Sequence, residues 1–310
     1  MSHLGGSDPT PSRRTTLGRS RSYDTALARE TPARRSPTRS GRDVIEQIEH
    51  AADPRIGEYT GLRDFALRLR REGPGGDLAG VFIAEGAPVI ERAIAARYSM
   101  RSLLLDAQRY DRYGPLLNQA GATTFVAARE VLEAITGFNV HRGVLACFER
   151  KPLEPVETVI AGARKIAILE SINNHTNVGA IFRCAAALSI DAVLLCPFTC
   201  DPLYRRALRV SMGHALAIPH TRVDRLPDGL AIVKQLGFRT LALTPSLDAV
   251  SIRTVDRSGK LALIFGAEGE GLTEQTMAAA HLRVRIPLAD GIDSLNVGAA
   301  AAVAFYALGG

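Results

Sequence analysis

Three polar or glycine-rich segments in the second half of the chain carry side chains able to do chemistry. The first, Asn173-Asn-His-Thr-Asn-Val-Gly-Ala-Ile-Phe-Arg183, reads as a polar loop turning into a helix. Asn177 is placed to cap that helix, and Arg183 sits about two turns inside it, on a face otherwise made of Ala and Cys. An arginine there needs an anion or an acceptor, which either a ligand or an ion pair with a neighbouring acid would supply. The second segment, Phe265-Gly-Ala-Glu-Gly-Glu-Gly271, is a glycine-rich turn between a strand and a helix. Its spacing matches neither the dinucleotide-binding fingerprint nor the P-loop. Glu268 and Glu270 would repel a polyphosphate. The glycines still let a backbone approach a nucleoside closely, and a cationic ligand, such as one bearing the sulfonium and amine of S-adenosylmethionine, tolerates the carboxylates. The third segment runs from Ile286 to Asn296: Pro287 stops a strand, Gly291 permits a turn, and Ser294 is placed to cap the final helix. Taken alone it is an ordinary loop with a cap.

These segments need a scaffold, and the apolar runs before them describe one. From Lys165 onward the strands read Ile166-Ala-Ile-Leu, Ala192-Val-Leu-Leu, Thr240-Leu-Ala-Leu, Leu261-Ala-Leu-Ile-Phe and Arg283-Val-Arg-Ile, with helices between most of them and an Ala-rich helix at the end. Such continuous apolar runs are buried parallel strands, and ligands of such sheets bind beyond the carboxyl ends of the strands. All three segments follow one of these runs. An earlier alternating series starts with helix-like spacing from Asp43. It continues through Gly80–Ala84, a helix over Val89–Arg97, Ser102–Leu105, a helix near Leu116, Thr124–Val126, a helix over Val131–Ile135 and Val144–Phe148. This predicts a smaller α/β domain over 43–150, with Pro152 and Pro155 in a linker over 151–164 before the main domain at 165–310.

The net charge of +6 lies wholly in the first 42 residues, which hold nine Arg against three acids; the rest of the chain is formally neutral. That Ser-, Thr-, Pro- and Gly-rich tail is too poor in apolar residues to bury a core and is expected to be disordered. Its arginines suit a loose contact with phosphate backbones, although a solvated extension without a role has the same composition. The absence of an 18-residue apolar run, and an N-terminus of Ser, Gly and Arg, lead us to expect neither a membrane span nor a secretory signal, hence a cytoplasmic protein. The four cysteines form no C-x-x-C pair and read as buried thiols, with no metal expected.

Together, Asn177/Gly179/Arg183, Gly266/Glu268/Gly269/Gly271 and Ile286/Pro287/Ser294/Leu295/Asn296/Val297 resemble the three motifs of the SpoU (TrmH-like) family of RNA ribose 2′-O-methyltransferases, within the SPOUT superfamily. The likeness covers about residues 165–310. It implies a doubly wound, mostly parallel α/β domain closed by a trefoil knot, preceded by a ribosomal-protein-like substrate-binding domain at 43–150. It implies S-adenosylmethionine held by Gly266, Ile286, Leu288, Leu295 and Thr244, mostly through backbone groups, and a catalytic set of Arg183, Asn177, Glu268, Asn296 and Ser294. A guanidinium holds its proton and is a poor general base, so Arg183 is better read as an orienter of the 2′-oxygen and its phosphate. The likeness also implies a homodimer paired through the knotted domain. The extra N-terminal domain favours ribosomal RNA over tRNA as substrate. The same chemistry on tRNA is the nearest alternative, and a non-catalytic RNA-binding or ribosome-assembly protein is a second. A nucleotide-dependent oxidoreductase fails on the glycine spacing and the carboxylates.

Overall fold

The computed structural model describes residues 45–309, apart from 64, 74, 115, 117–120 and 141–142. The expected basic tail, 1–42, lies outside the described residues.

Two sheets organise the chain. The first is built from β1 (Ile45–Ile48), α1 (Phe65–Glu72), β2 (Val81–Glu85), α2 (Ala87–Ala95), β3 (Met100–Asp106), β4 (Thr123–Ala127), α3 (Arg129–Thr136) and β5 (Val144–Glu149). Its strand order is β1-β4-β3-β5-β2, with β5 antiparallel to both neighbours. The segment at Ile45, where helix-like spacing was expected, is instead a strand parallel to β4. Apolar residues three apart fit either state, and here pairing with β4 decides, leaving Ile48 buried and Ile45 half exposed.

The second sheet follows α4 (Val156–Ile160), β6 (Lys165–Leu169), α5 (His175–Ala187), β7 (Ala192–Leu195), α6 (Arg205–Val210), β8 (His220–Arg222), α7 (Leu230–Gln235), β9 (Phe238–Leu243), β10 (Val250–Ser251), β11 (Lys260–Phe265), α8 (Glu274–Ala279), β12 (Leu282–Arg285) and α9 (Val297–Gly309). Its order, β10-β12-β9-β11-β6-β7-β8, is parallel at every pairing. The five expected strands are all present. The fully buried runs Ile166–Leu169 and Leu261–Phe265 occupy its centre, as continuous apolar composition requires. Two strands were not anticipated, β8 and β10, which are short, polar and at the edges. The segment 151–164 is not a plain linker, because α4 forms within it and buries Ile160.

The elements that matter for the site are α5 and α9, which pack on one another, and β11, tied to α9 by an edge-to-face contact of Phe265 with Phe305 at 5.4 Å. On its other side α5 crosses α6 so closely that a Cβ at Gly179 would lie 2.6 Å from the Ala207 carbonyl oxygen and 2.8 Å from Val210 Cβ. Helix α6 in turn meets β2 of the first sheet, where the buried carboxylate of Glu85 takes Arg205 at 2.5 Å and Arg209 at 3.3 Å. Gly179→Ala should therefore push α6 off α5 and destabilise the fold by about 1–3 kcal/mol, read as a lowered midpoint of urea unfolding; an unchanged midpoint would mean that the helices separate at no cost.

Candidate active site

Because every strand of the second sheet points the same way, the loops after β6, β9, β11 and β12 meet at one edge. A cavity of about 390 Å³ opens there. Leu243, Thr244 and Pro245 after β9 form one wall, Gly266–Gly269 and Gly271 after β11 a second, and Ile286, Leu288 and Ser294–Asn296 after β12 a third. Phe265, Val284, Val297 and Ala300 also line it.

The β11 loop is shaped by its glycines. A Cβ at Gly266 would lie 2.2 Å from Gly271 C and 2.4 Å from Leu272 N, so the loop folds back against its own start, with a bridge between Ala267 and Gly271. Gly269 and Gly271 sit at φ +86° and +72°, where a side chain is strained. The far end of the loop is fastened by Glu170, a buried carboxylate just past β6. It accepts hydrogen bonds from the Thr273 N–H, the Thr273 hydroxyl and the Thr276 hydroxyl at 3.2, 3.2 and 2.7 Å. The one sign of Glu170 in the sequence is its place, an acid directly after an apolar strand.

Asn296 is the hub of the polar groups. Its Oδ1 accepts from the Gly298 and Ala299 N–H groups at 3.0 and 3.3 Å, which caps α9. Its Nδ2 then points the other way and donates to Asn177 Oδ1 at 3.0 Å and to Glu268 Oε1 at 2.6 Å. The cap thus decides the orientation of both amides, and Asn177 Nδ2 is left buried with no partner among the described residues. Two cap expectations are corrected by this arrangement. Asn174, not Asn177, caps α5, accepting from the Thr176 N–H at 2.9 Å; the helix begins one turn earlier because Asn177 Oδ1 is taken by Asn296. Asn296, not Ser294, caps α9, and Ser294 is an exposed part of the cavity wall.

Of the residues singled out in the sequence, Thr244, Gly266, Glu268, Ile286, Leu288, Ser294, Leu295 and Asn296 line the cavity, and Asn177 joins through its bond to Asn296. Arg183 does not reach it. It is exposed on α5, about 9 Å along the axis from Asn177, with no hydrogen bond or ion pair to a described residue, so the alternative of a neighbouring acid falls away. Leu243 and Pro245 are wall residues that the sequence reading did not name. The lining holds one carboxylate, Glu268, and no Lys or Arg, a composition that disfavours polyphosphates and suits a nucleoside with positive charge.

The chain matches the SpoU rRNA Methylase family over residues 164–306. It is 41% identical, over 84% of its own length and 91% of the other's, to an uncharacterized tRNA/rRNA methyltransferase of Mycobacterium tuberculosis. The chain belongs to the SpoU family. As a SpoU-family RNA methyltransferase it is also 30% identical to the 23S rRNA (guanosine-2′-O-)-methyltransferase RlmB of Bordetella pertussis, over 70% of this chain and 92% of that protein. Among solved structures, an AdoMet-bound rRNA methyltransferase from Sinorhizobium meliloti superposes with a TM-score of 0.71 at 22% identity, covering 85% of this chain and 97% of that one, a likeness of fold.

Other groups of this SpoU-family chain have structural roles. No cluster of metal-ligating side chains exists among the described residues, and no described helix is long and apolar enough to cross a membrane. All four cysteines are free. Burial pushes the thiols of Cys196 and Cys200 up to about 12 and about 11, so neither is a thiolate at neutral pH.

A two-variant comparison separates the two jobs of Asn296. Asn296→Ala loses the cap and should lower stability by about 1 kcal/mol. Asn296→Asp keeps a capping oxygen but sets a carboxylate beside Glu268, so thermal stability should largely recover while ligand binding in the cavity stays impaired. Equal binding by wild type and Asn296→Asp in calorimetry would remove the Asn177–Asn296–Glu268 chain from the site.

Proposed function

We propose that this chain transfers a methyl group from S-adenosylmethionine to a ribose 2′-hydroxyl of RNA, with ribosomal RNA as the substrate and the cytoplasm as its place of action. The observation that carries the reading is the cavity at the strand ends, free of basic side chains, where Glu268 is joined through Asn296 to Asn177 at the head of α5. The relatives support it: the Bordetella protein is named for 2′-O-methylation of 23S rRNA, and the Sinorhizobium structure for bound AdoMet.

S-adenosylmethionine supplies a methyl group activated on a sulfonium. Backbone groups at Gly266, Ile286, Leu288 and Leu295, with Thr244, hold its nucleoside, and Glu268 faces positive charge. Methyl transfer is an in-line displacement, so the chain must align the ribose oxygen and help it lose its proton. Asn177 Nδ2 is the donor left over for an oxygen acceptor, Ser294 and Asn296 shape the nucleotide's seat, and Arg183 orients the 2′-oxygen and the adjacent phosphate. Glu268 is already engaged with Asn296 and serves better to hold charge than to move protons.

The reading includes a trefoil knot at the β12–α9 segment, an RNA-binding role for the five-stranded unit over 43–150, and a homodimer. Pairing of two copies is supported by α9, which is apolar nearly all round and exposes Val303 and Tyr306, at 42% and 78%, one helical turn apart. Ribose methylation mapped in total RNA from cells with and without the gene tests activity and target together. Loss of a 2′-O-methyl mark in ribosomal RNA is expected; loss confined to tRNA would redirect the substrate, and an unchanged map together with no cofactor binding would favour a non-catalytic RNA-binding protein.

A further inference from the structure

On the same edge of the second sheet, two strands beyond the cavity, Phe198 exposes 65% of its surface. It is not on a loose loop. The turn after β7 is pinned by the Thr199 hydroxyl donating to the Leu169 carbonyl at 2.6 Å, and by Arg222 Nη1 donating to the Cys196 and Thr199 carbonyls at 2.9 and 2.8 Å. Thr199 itself is buried. A ring held out in water by a rigid turn has already lost the freedom that binding would otherwise cost.

Its surroundings say what would cover it. Arg225, on the turn after β8, sits 5.7 Å from the Phe198 ring centroid and has no carboxylate partner among the described residues. Between this pair and the cavity lies Arg206 at the start of α6, exposed and hydrogen-bonded among the described residues only to the hydroxyl of Thr176 at 3.0 Å, the residue next to Asn177. Asp224 and Asp228 are exposed nearby, and Asp201 is occupied by Arg150. One isolated aromatic ring is too small a patch to seat a protein. A flat π-face flanked by guanidinium groups is instead the chemistry that takes a nucleobase of a single strand and its phosphates.

We propose that Phe198 and Arg225 form a stacking site for a base of the RNA substrate, with Arg206 on the intervening phosphate. Adjacent strands lie about 4.8 Å apart, so the site is on the order of 10 Å from the β11 wall of the cavity. It therefore takes a nucleotide flanking the one that is methylated, and the flanking strand is single-stranded when bound. This inference rests on the RNA-methylating reading above.

The chain contains no tryptophan, so Phe198→Trp installs a lone fluorophore on an exposed turn. Ribosomal RNA from a strain lacking the gene should quench the indole fluorescence of that variant. S-adenosylmethionine and heparin, which carry no strand of bases to stack, should leave it unchanged. In parallel, Phe198→Leu should weaken RNA binding roughly tenfold, with cofactor affinity and thermal midpoint unchanged, while Phe198→Trp retains it. Equal RNA affinity of Phe198→Leu and wild type, or RNA binding without quenching, would overturn the stacking site alone. Failure of the wild type to bind or methylate any RNA would overturn the functional reading beneath it.

Discussion

Replacing Arg183 with alanine is expected to lower methyl transfer to RNA by roughly 100- to 1,000-fold, the range seen when one preorganised donor to a developing charge is removed, while cofactor affinity stays at the wild-type value. The expectation follows from where the side chain is. Arg183 makes no hydrogen bond or ion pair with a described residue and does not line the cavity, so the fold and the cofactor seat lose nothing when it is shortened, and stability should change by less than about 0.5 kcal/mol. An exposed guanidinium on the helix that also carries Asn177 is positioned for a ligand that arrives from outside, and its permanent positive charge suits a ribose-phosphate. Tritium incorporation from labelled S-adenosylmethionine, with calorimetry of the same preparation, separates the two effects. Unchanged incorporation would take Arg183 out of the reaction. Arg183→Lys sharpens the point, since a single ammonium keeps the charge but not the forked geometry and should restore only part of the rate.

Gly266→Ala should have the opposite signature, losing cofactor binding first. The added Cβ would meet backbone atoms of Gly271 and Leu272 at 2.2 to 2.4 Å, and no flexible side-chain end is available to yield. The loop must open, and with it the wall that carries Glu268. Overpacking of this kind costs about 1–3 kcal/mol. If it falls on the loop, cofactor affinity drops roughly tenfold to more than a hundredfold. Because Glu170 fastens the far end of the loop to β6 through Thr273 and Thr276, the strain cannot escape into α8, and a lower thermal midpoint should accompany the loss. Wild-type affinity in a folded Gly266→Ala protein would show that the β11 loop does not form the cofactor seat.

How much of this was legible in the sequence differs by the kind of force involved. The central strands were, because β6 and β11 are buried on both faces and so read as unbroken apolar runs. β8 and β10 were not, because His220-Thr-Arg and Val250-Ser owe their state to a neighbour's edge and carry no period of their own. Ile45–Ile48 has a helix-like spacing of its isoleucines, and only pairing with β4 makes it a strand. At the site, the three segments were legible as neighbours through their resemblance to family motifs and through their common place after strands. Their internal bonding was not. Asn173, Asn174 and Asn177 all have capping chemistry, as do Ser294 and Asn296, and only the bond between Asn177 and Asn296 across 119 positions selects which of them caps. Local rules placed each cap within a turn of its true position and could go no further. Glu170 was invisible because its partners lie more than 100 residues away.

S-adenosylmethionine-dependent methylation of a ribose hydroxyl has a direct readout in an alkaline hydrolysis ladder. Unmodified ribosomal RNA is incubated with the protein and S-adenosylmethionine and then cleaved in base, where each break requires a free 2′-hydroxyl. One interruption in the ladder is expected, dependent on the cofactor and absent with Arg183→Ala. An uninterrupted ladder from RNA that has nonetheless taken up labelled methyl groups would place the methyl on a base and contradict it.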